Sequence, residues 1–416
     1  MALRLWWGVT LVGEGFFVRV APACCALLVA VKPPLHSQAT PEWLELAAEF
    51  SIGREEPGYD LTMVGDVVTG SGGMILVAQP REGLVRVFDS TGSFIGSVGR
   101  RGSGPGEFQR VSGLTVRGDT LMVSDGSLSR VSVFLPRWTL IQTISVSPAL
   151  AGRSYRRLAP LGVLRDGSVV ASPVVAATIA NNPEAIVLPL YVVGRDNEIK
   201  GILAELDMSD VSARISTGAR FIAISRPLSN ASLWDVAADG SVVAVVHPRV
   251  PTGSRRERFQ VIALRSPADT VFCVWFSYTP RELPASTRDS IVASWIEELS
   301  RSAPRPLLNR EVPNALNLPR YQPPVSDVLV AGDGRVWLRR ERFGRAVGLW
   351  AVLDSGGRIV AYAVGPSGTE LKHVEGSRAW GVELDENDIP RVVRYRVRPS
   401  RPGADAPDLQ PSGRCG

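Results

Sequence analysis

The stretch VVTGSGGMILVAQPREGLVRVFDSTGSFIGSV, residues 67–98, decides the fold because the chain repeats its pattern at once. The second copy is GLTVRGDTLMVSDGSLSRVSVFLPRWTLIQTI, residues 113–144, and the two align without a gap. Val85, Val87 and Phe88 fall on Val131, Val133 and Phe134. A fixed period of about 40–50 residues with several short strands in each copy is typical of a β-propeller.

Each copy divides into four strands separated by turn residues. In the first copy the strands are predicted at residues 65–68, 74–78, 84–89 and 94–98. Glycines and Asp-Ser pairs between them favour tight turns, because glycine adopts positive φ without strain. Such a sheet has two apolar faces and must stack on neighbours, and a closed ring leaves few exposed edges. An open sandwich of the same strands is the alternative, and the gapless repeat favours the ring.

Weaker copies continue the pattern along the chain. The dipeptides Asp166-Gly167, Asp239-Gly240 and Asp333-Gly334 precede β-branched or apolar runs and predict hairpins at equivalent places in units three, four and five. Unit six lacks a fourth strand, whereas residues 43–52 form a lone strand. We therefore predict an all-β, six-bladed β-propeller over residues 40–399, closed by pairing of residues 43–52 with residues 391–397.

One segment departs from the strand pattern. Residues 285–303 carry Ile291, Trp295 and Leu299 at helical spacing, with charged residues on the opposite side. An apolar stripe of this kind usually packs against the protein, so we predict one inserted helix that lies across the rim or the channel mouth, with Trp295 buried. A mobile lid is the alternative.

Residues 1–39 have the pattern of a signal peptide. Arginines precede the apolar run 20–31, and small residues at Ser37 and Ala39 fit cleavage before Thr40. The apolar run is too short for a stable membrane-spanning helix. The sequence therefore predicts export to the periplasm or beyond the cell, with no transmembrane span in the mature chain.

The four cysteines add two questions. Cys24 and Cys25 raise the possibility of a lipoprotein anchor, but the residues before them lack the leucine common at such sites. Cys273 and Cys415 remain after cleavage, and although a bond between them is feasible in an oxidising compartment, we expect two free thiols. Residues 400–416 are rich in Pro, Gly and Asp, which predicts a disordered tail.

Charge and composition exclude some partners. The net charge of +5 is modest for 416 residues, and arginine supplies nearly all of the positive charge. The arginines are scattered, without a basic run or an interleaved aromatic platform, so nucleic acid is not expected as a partner. The partner is an unknown protein or small molecule, and we expect a monomer.

The chain resembles bacterial six-bladed β-propeller proteins related to NHL repeats. The resemblance is carried by residues 99–108, which contain Gly-Pro-Gly-Glu-Phe, and by Val-Ser-Asp at 123–125 followed by residues 130–134. It covers about residues 43–399. It implies a shared ring fold, while functions within the group differ, so it implies no mechanism for this chain.

Strand alternation places the loops on two faces of the ring. The turn face carries the connections between strands one and two and between strands three and four of each unit. The insert face carries the connections between strands two and three and those between units, including the long segments 99–106, 173–189, 247–256 and 283–324. Long loops on a rigid scaffold often carry function. The polar candidates on the insert face are Glu82, Arg101, Asp125, Arg130, Arg255, Arg256 and Asp385.

Catalytic machinery is not visible in the sequence. Histidines are scarce, and none of the three has a spacing to a cysteine or carboxylate that suggests a nucleophile with its base. The acidic run at residues 385–388 suits either Ca²⁺ or a solvated hairpin turn, and no other cofactor is indicated. The leading hypothesis is an exported binding or scaffold module that uses the insert face. The alternative is a calcium-dependent lactonase-like or esterase-like hydrolase with carboxylates at the channel mouth.

Overall fold

The repeat at residues 67–98 forms a four-stranded antiparallel sheet in the computed structural model of the protein. The structure describes residues 40–53, 61–150, 155–174, 186–216, 221–301, 303–340, 347–401 and 408–415. The predicted signal peptide, with Cys24 and Cys25, lies outside these ranges.

Within these ranges the chain builds six blades, each of four antiparallel strands. Blade 1 is β2–β5, blade 2 β6–β9, blade 3 β10–β13, blade 4 β16–β19 and blade 5 β20–β23, and blade 6 consists of β24–β26 and β1. The elements in chain order are β1 (Glu42–Ile52), β2 (Val67–Thr69), β3 (Ile75–Gln79), β4 (Leu84–Phe88), β5 (Phe94–Val98), β6 (Val111–Arg117), β7 (Thr120–Asp125), β8 (Arg130–Leu135), β9 (Thr139–Ser145), β10 (Leu158–Val163), β11 (Val169–Pro173), β12 (Val187–Val193), β13 (Ile199–Asp207), β14 (Ser212–Ser216), β15 (Phe221–Ser225), β16 (Leu233–Val236), β17 (Val243–His247), β18 (Glu257–Ser266), β19 (Asp269–Tyr278), α1 (Ala285–Leu299), α2 (Arg305–Leu316), β20 (Asp327–Val330), β21 (Val336–Arg340), β22 (Val347–Leu353), β23 (Ile359–Pro366), β24 (Glu370–Glu375), β25 (Arg378–Leu384), β26 (Pro390–Pro399) and β27 (Gln410–Arg414).

The first strands of the blades surround the ring centre. β2 contacts β6, β6 contacts β10, β16 contacts β20, and β24 contacts both β20 and β2. The circle is completed where Gly162 of β10 meets the side chain of Val236 in β16. Close approach also explains Gly113, where an added Cβ would lie 2.0 Å from the carbonyl oxygen of Leu161. Only glycine lets these two innermost strands lie so near each other.

The N-terminal strand closes the ring, and the predicted pairing is confirmed. β1 runs antiparallel to β26, with Leu44 opposite Pro399 and Ile52 opposite Val392. Its first residues also pair in parallel with β23, where Trp43 lies opposite Tyr362. Blades 5 and 6 are thereby joined into one eight-stranded sheet. This second pairing was not predicted, because single-strand patterns carry no information on a partner in the neighbouring blade.

The insertions on either side of blade 4 pack together into a cap module, formed by the hairpin β14–β15 and the helices α1 and α2. Its core contains Ile215 of β14, Leu299 of α1 and Leu308 of α2. The prediction of one helix is therefore wrong, because α2 and the hairpin were missed. Trp295 is only half-buried, which corrects the expectation that it is covered. Both insertions follow the last strand of a blade, so they leave the ring on the insert face.

The C-terminus forms structure instead of a disordered tail at residues 410–414. β27 pairs antiparallel with β19 as a fifth strand of blade 4. Cys415 forms a disulfide with Cys273, which lies in β19, with Cα atoms 5.4 Å apart. The expectation of two free thiols is therefore wrong. The bond closes a loop across a sequence separation of 142. None of the helices in the described ranges is both long and apolar enough to cross a membrane.

Candidate functional site

A cavity of about 230 Å³ lies at the ring centre and is lined mainly by the first strands of the blades. These strands enter from the insert face, because each follows an inter-blade connection. Residues near their beginnings therefore lie towards the insert face. The polar lining is concentrated there: Asp66 immediately precedes β2, Asp327 begins β20, and Asp235 lies in β16. We refer to this part of the cavity as the channel site.

Two of the three carboxylates also connect the blades. Oδ2 of Asp66 accepts a hydrogen bond of 2.9 Å from the backbone N–H of Leu114 in blade 2. Oδ2 of Asp235 accepts one of 2.6 Å from the N–H of Val330 in blade 5. These bonds hold two carboxylates in fixed positions inside the ring, and the carboxyl groups are only partly exposed to solvent.

Burial changes the acidity of all three groups. Burial raises the pKa of Asp66 to about 6, against the N–H of Leu114 and the charge of Lys372, which lower it. It raises the pKa of Asp327 to about 6, where Glu370 adds to the effect. Burial raises the pKa of Asp235 most, to about 8, and the charges of Asp66 and Asp327 reinforce it. The charges of Asp66 and Asp327 thus act on Asp235 across the cavity.

One cation lies among these carboxylates. Lys372 of β24 lines the cavity, and its Nζ lies 2.6 Å from Oε1 of Glu370. Burial alone would lower the pKa of Lys372, but the charges of Glu370, Asp66 and Asp327 outweigh it and raise the pKa. Asp66 and Asp327, with pKa values of about 6, are largely ionised at neutral pH, whereas Asp235, with a pKa of about 8, largely keeps its proton. The channel site therefore has an excess of negative charge.

Deeper in the ring, β24 carries a buried histidine. Burial lowers the pKa of His373 to about 4, so its ring is neutral at physiological pH. Its Nε2 lies 2.9 Å from Oγ1 of Thr69, and that hydroxyl donates to Glu375 at 2.5 Å. Because the hydroxyl proton is used for Glu375, Nε2 of His373 donates to Thr69. This arrangement gives the histidine a structural role, because its Nε2 donates a hydrogen bond to the hydroxyl and does not act as a base toward it.

The residues predicted from sequence fall into separate places. Arg130 donates to the carbonyl groups of Gly104 and Glu107 at 2.6 and 2.7 Å and so fixes the loop after blade 1. Arg101 bonds the carbonyl of Arg81, and Glu82 pairs with Arg86 of the next strand. These groups surround one loop and stabilise it.

Asp125 is fully buried, and its carboxylate accepts hydrogen bonds from four backbone N–H groups, those of Gln109, Arg110, Ser127 and Leu128. This corrects the expectation that Asp125 faces a ligand, because its buried carboxylate oxygens already accept hydrogen bonds from the backbone.

The remaining predicted residues lie away from the channel. Arg256 bonds Ser277 and Gln410 on the outer part of blade 4, and Arg255 is exposed in the preceding loop. Asp385 caps its own turn by accepting from the N–H groups of Asn387 and Ile389. The structure therefore does not bring the predicted residues together into one site.

Sequence reasoning missed the channel site, although a weak signal exists. Asp66, Asp235 and Asp327 are each followed directly by valine; Asp66 and Asp327 lie at the start of a short first strand, whereas Asp235 is the third residue of β16. An aspartate at this position is unusual because first strands are otherwise apolar. This pattern indicates a shared site only in the closed ring, where the first strands surround one axis.

The channel site does not fit calcium. Ca²⁺ takes about 6–8 oxygen ligands at about 2.3–2.6 Å. Among the described residues, no three His, Cys, Asp or Glu side chains converge as ligands of one metal ion. Each carboxylate already accepts a backbone N–H, and the ammonium of Lys372 occupies the same region.

Comparisons with known proteins support the fold. Residues 62–134 match the family model DUF5128, which is described as a 6-bladed beta-propeller. No curated protein matches the sequence. Together with the six blades, the family match confirms the resemblance to six-bladed propellers that the sequence indicated.

Several solved structures share this architecture at low identity. A member of the duf4221 family from Bacteroides vulgatus is 9% identical, with a TM-score of 0.45 over 87% of this chain and 100% of that chain. The calcium-binding protein regucalcin from Agrobacterium tumefaciens is 11% identical, with a TM-score of 0.40 over 87% and 98%. Virginiamycin B lyase from Staphylococcus aureus is 8% identical, with a TM-score of 0.38 over 85% and 98%. Such values concern the fold alone and indicate no activity.

Proposed function

We propose that this protein is an exported binding module that holds a small cationic ligand, such as an organic amine, in the channel site. The observation that carries this proposal is the convergence of Asp66, Asp235 and Asp327 on one cavity from three different blades. Fixed carboxylates in a partly desolvated cavity are costly unless a positive charge joins them. A bound ammonium group would relieve their repulsion.

The lining suits such a ligand in two further respects. Carboxylate oxygens form charge-assisted hydrogen bonds with ammonium and guanidinium groups, which are about twice as strong as neutral ones. Trp234 also lines the cavity and is partly exposed, and an indole ring attracts cations. The cavity of about 230 Å³ is smaller than most drug-sized pockets, which favours a small molecule or the end of a larger one.

Export is supported by the covalent structure. The disulfide between Cys273 and Cys415 belongs to an oxidising compartment, since such bonds are rare in the reducing cytosol. The signal-peptide pattern of residues 1–39 agrees with this location. We propose the periplasm or the cell exterior as the place of function, with the protein acting as a monomer.

The proposal is tested by calorimetric titration with 1,4-diaminobutane, with uncharged 1,4-butanediol as the matched probe and CaCl₂ as a third titrant. We expect a heat of binding for the diamine and none for the diol or for CaCl₂. The diamine should bind more tightly at pH 8 than at pH 5, because Asp66 and Asp327 ionise between these pH values. Asp66→Asn combined with Asp327→Asn should weaken binding at least about tenfold, because each lost charge-assisted bond costs about 1.5–3 kcal/mol.

The control variant combines Asp119→Asn with Asp333→Asn, which removes the same charge from turns on the turn face. This variant should bind the diamine as the native protein does. Equal responses to diamine and diol, or equal loss in both variants, would overturn the proposal. Stoichiometric calcium binding that depends on Asp66 and Asp327 would overturn it in favour of the calcium-dependent hydrolase.

A further inference from the structure

The outer part of blade 4 presents an open sheet face rich in arginine. In β18 and β19 the side chains of Phe259, Val261, Val274 and Phe276 point into the core shared with blade 5. The alternating residues therefore lie on the opposite side of the sheet. Arg258 is exposed there and Trp275 is half-exposed. We call this surface the arginine platform; it consists of Arg249, Arg256, Arg258, Gln260, Trp275 and Ser277.

Trp275 organises two of the guanidinium groups. The Cζ atoms of Arg249 and Arg258 lie 4.9 Å and 5.0 Å from the centroid of its indole ring. Cation–π contacts of this kind hold arginine side chains in place without neutralising their charge. Within the described ranges, neither Arg249 nor Arg258 forms an ion pair with a carboxylate. Two positive charges are thus held against one indole ring without a counterion among the described residues.

A third guanidinium extends the platform along the strand. Nη1 of Arg256 donates to Oε1 of Gln410 at 2.7 Å and to Oγ of Ser277 at 3.2 Å, which are both neutral acceptors. The acidic residue between these arginines does not neutralise them. Oε1 of Glu257 accepts from the backbone N–H groups of Thr252 and Ser254, so the carboxylate is directed into its own loop.

The C-terminal strand frames the platform. Gly413 of β27 lies opposite Trp275, and because it has no side chain it leaves the ring uncovered from that side. Nε2 of Gln260 lies 3.0 Å from Sγ of Cys415 and 3.2 Å from Sγ of Cys273. The disulfide thus anchors the edge of this surface.

We infer that the arginine platform binds an acidic polysaccharide. Guanidinium groups bind carboxylate, sulfate and phosphate oxygens in paired, planar contacts. Arg258 lies in β18 and Arg256 immediately precedes that strand, so the two are two residues apart in sequence, about 7 Å for extended backbone. Arg249 and Arg258 both contact Trp275, and Arg256 contacts the neighbouring Ser277, so the three charges form one basic cluster on an open sheet face. A polymer with regularly repeated oxyanions complements such a cluster.

Other polyanions fit the surface less well. Nucleic-acid platforms stack bases on free aromatic faces, whereas Trp275 is engaged by guanidinium groups. Binding to an anionic membrane surface gains from a cluster of apolar side chains, whereas Val250 is the one large apolar side chain of the neighbouring loop with high exposure among the described residues. The oxidising compartment that the disulfide indicates also favours an extracellular glycan.

The test compares binding of the native protein and of Arg249→Gln combined with Arg258→Gln to polygalacturonate and to heparin at several salt concentrations. We expect the variant to bind both polymers at least about tenfold more weakly at low salt. The slope of log Kd against log salt should fall by about two, one for each removed contact. Uncharged dextran should not bind.

The matched control combines Arg81→Gln with Arg378→Gln, which removes two exposed arginines that form no ion pair within the described part of the chain. This control should bind as the native protein does. Equal weakening in both variants would mean that only net charge matters and would overturn the inference. Tighter binding to duplex DNA or to phosphatidylglycerol vesicles than to either polysaccharide would overturn the assigned partner class. Diamine binding in the channel site should persist in both arginine variants, which separates this inference from the proposed function.

Discussion

Replacing Asp235 with asparagine tests the physical basis of the channel site. Burial and the charges of Asp66 and Asp327 raise the pKa of Asp235 to about 8, compared with 3.8 for an unperturbed aspartate. Between these two pH values the folded protein keeps a proton that the unfolded chain has released. The free energy of unfolding therefore falls as pH rises through this window. The contribution of protonated Asp235 to the free energy of unfolding is fully present below about pH 4 and is lost as the pH rises through 8.

Asparagine reproduces the protonated state. Its side-chain oxygen can still accept the 2.6 Å hydrogen bond from the N–H of Val330, and it never acquires a charge. At 1.36 kcal/mol for each pH unit, the interval from 3.8 to about 8 corresponds to roughly 5–6 kcal/mol. Water that enters the channel offsets part of this cost. We therefore expect Asp235→Asn to be more stable than the native protein by about 2–4 kcal/mol at pH 9 and by only about 1 kcal/mol or less at pH 5.

The assay is urea denaturation at pH 5, 7 and 9, followed by tryptophan fluorescence. Asp354→Asn is the control, because the pKa of Asp354 is shifted in the opposite direction. Burial acts to raise the pKa of Asp354, but hydrogen bonds from Arg358 outweigh it and lower the pKa. Its replacement should destabilise the protein at pH 7 and 9. A variant at Asp235 that is no more stable than the native protein at pH 9, or whose advantage is the same at pH 5, would refute the reasoning.

Three further changes test the fold. Gly113→Ala should destabilise the ring by about 1–3 kcal/mol or more in urea melts, because its Cβ would meet the carbonyl of Leu161, whereas Gly368→Ala, with open space around it, should be neutral. Replacing Cys273 and Cys415 with serine should lower stability by about 2–5 kcal/mol and make β27 sensitive to proteolysis; native protein that reacts with a thiol reagent would contradict the disulfide. Leu308→Ala should cost about 2–5 kcal/mol, because the side chain is fully buried in the cap module, and an unchanged thermal melt would show that the module is not coupled to the ring.

The sequence alone determined the ring. The repeat at residues 67–98 and the Asp-Gly turns specify hairpins through local backbone preference, and an apolar pattern on both faces requires stacking. The lone strand at residues 43–52 was assigned to the sixth blade by counting strands, and its pairing with β26 confirmed that assignment. These features depend on residues that are close in the chain or on the number of strands in each blade.

Only the tertiary structure decided the sites. Asp66, Asp235 and Asp327 belong to three blades, and their shared cavity exists only after the ring closes. Cys273 and Cys415, separated by 142 positions, meet because β27 pairs with β19. Burial, mutual repulsion and pairing between distant strands are properties of positions in space. They leave no periodic trace in the chain, which is why local patterns predicted the scaffold and missed the groups placed upon it.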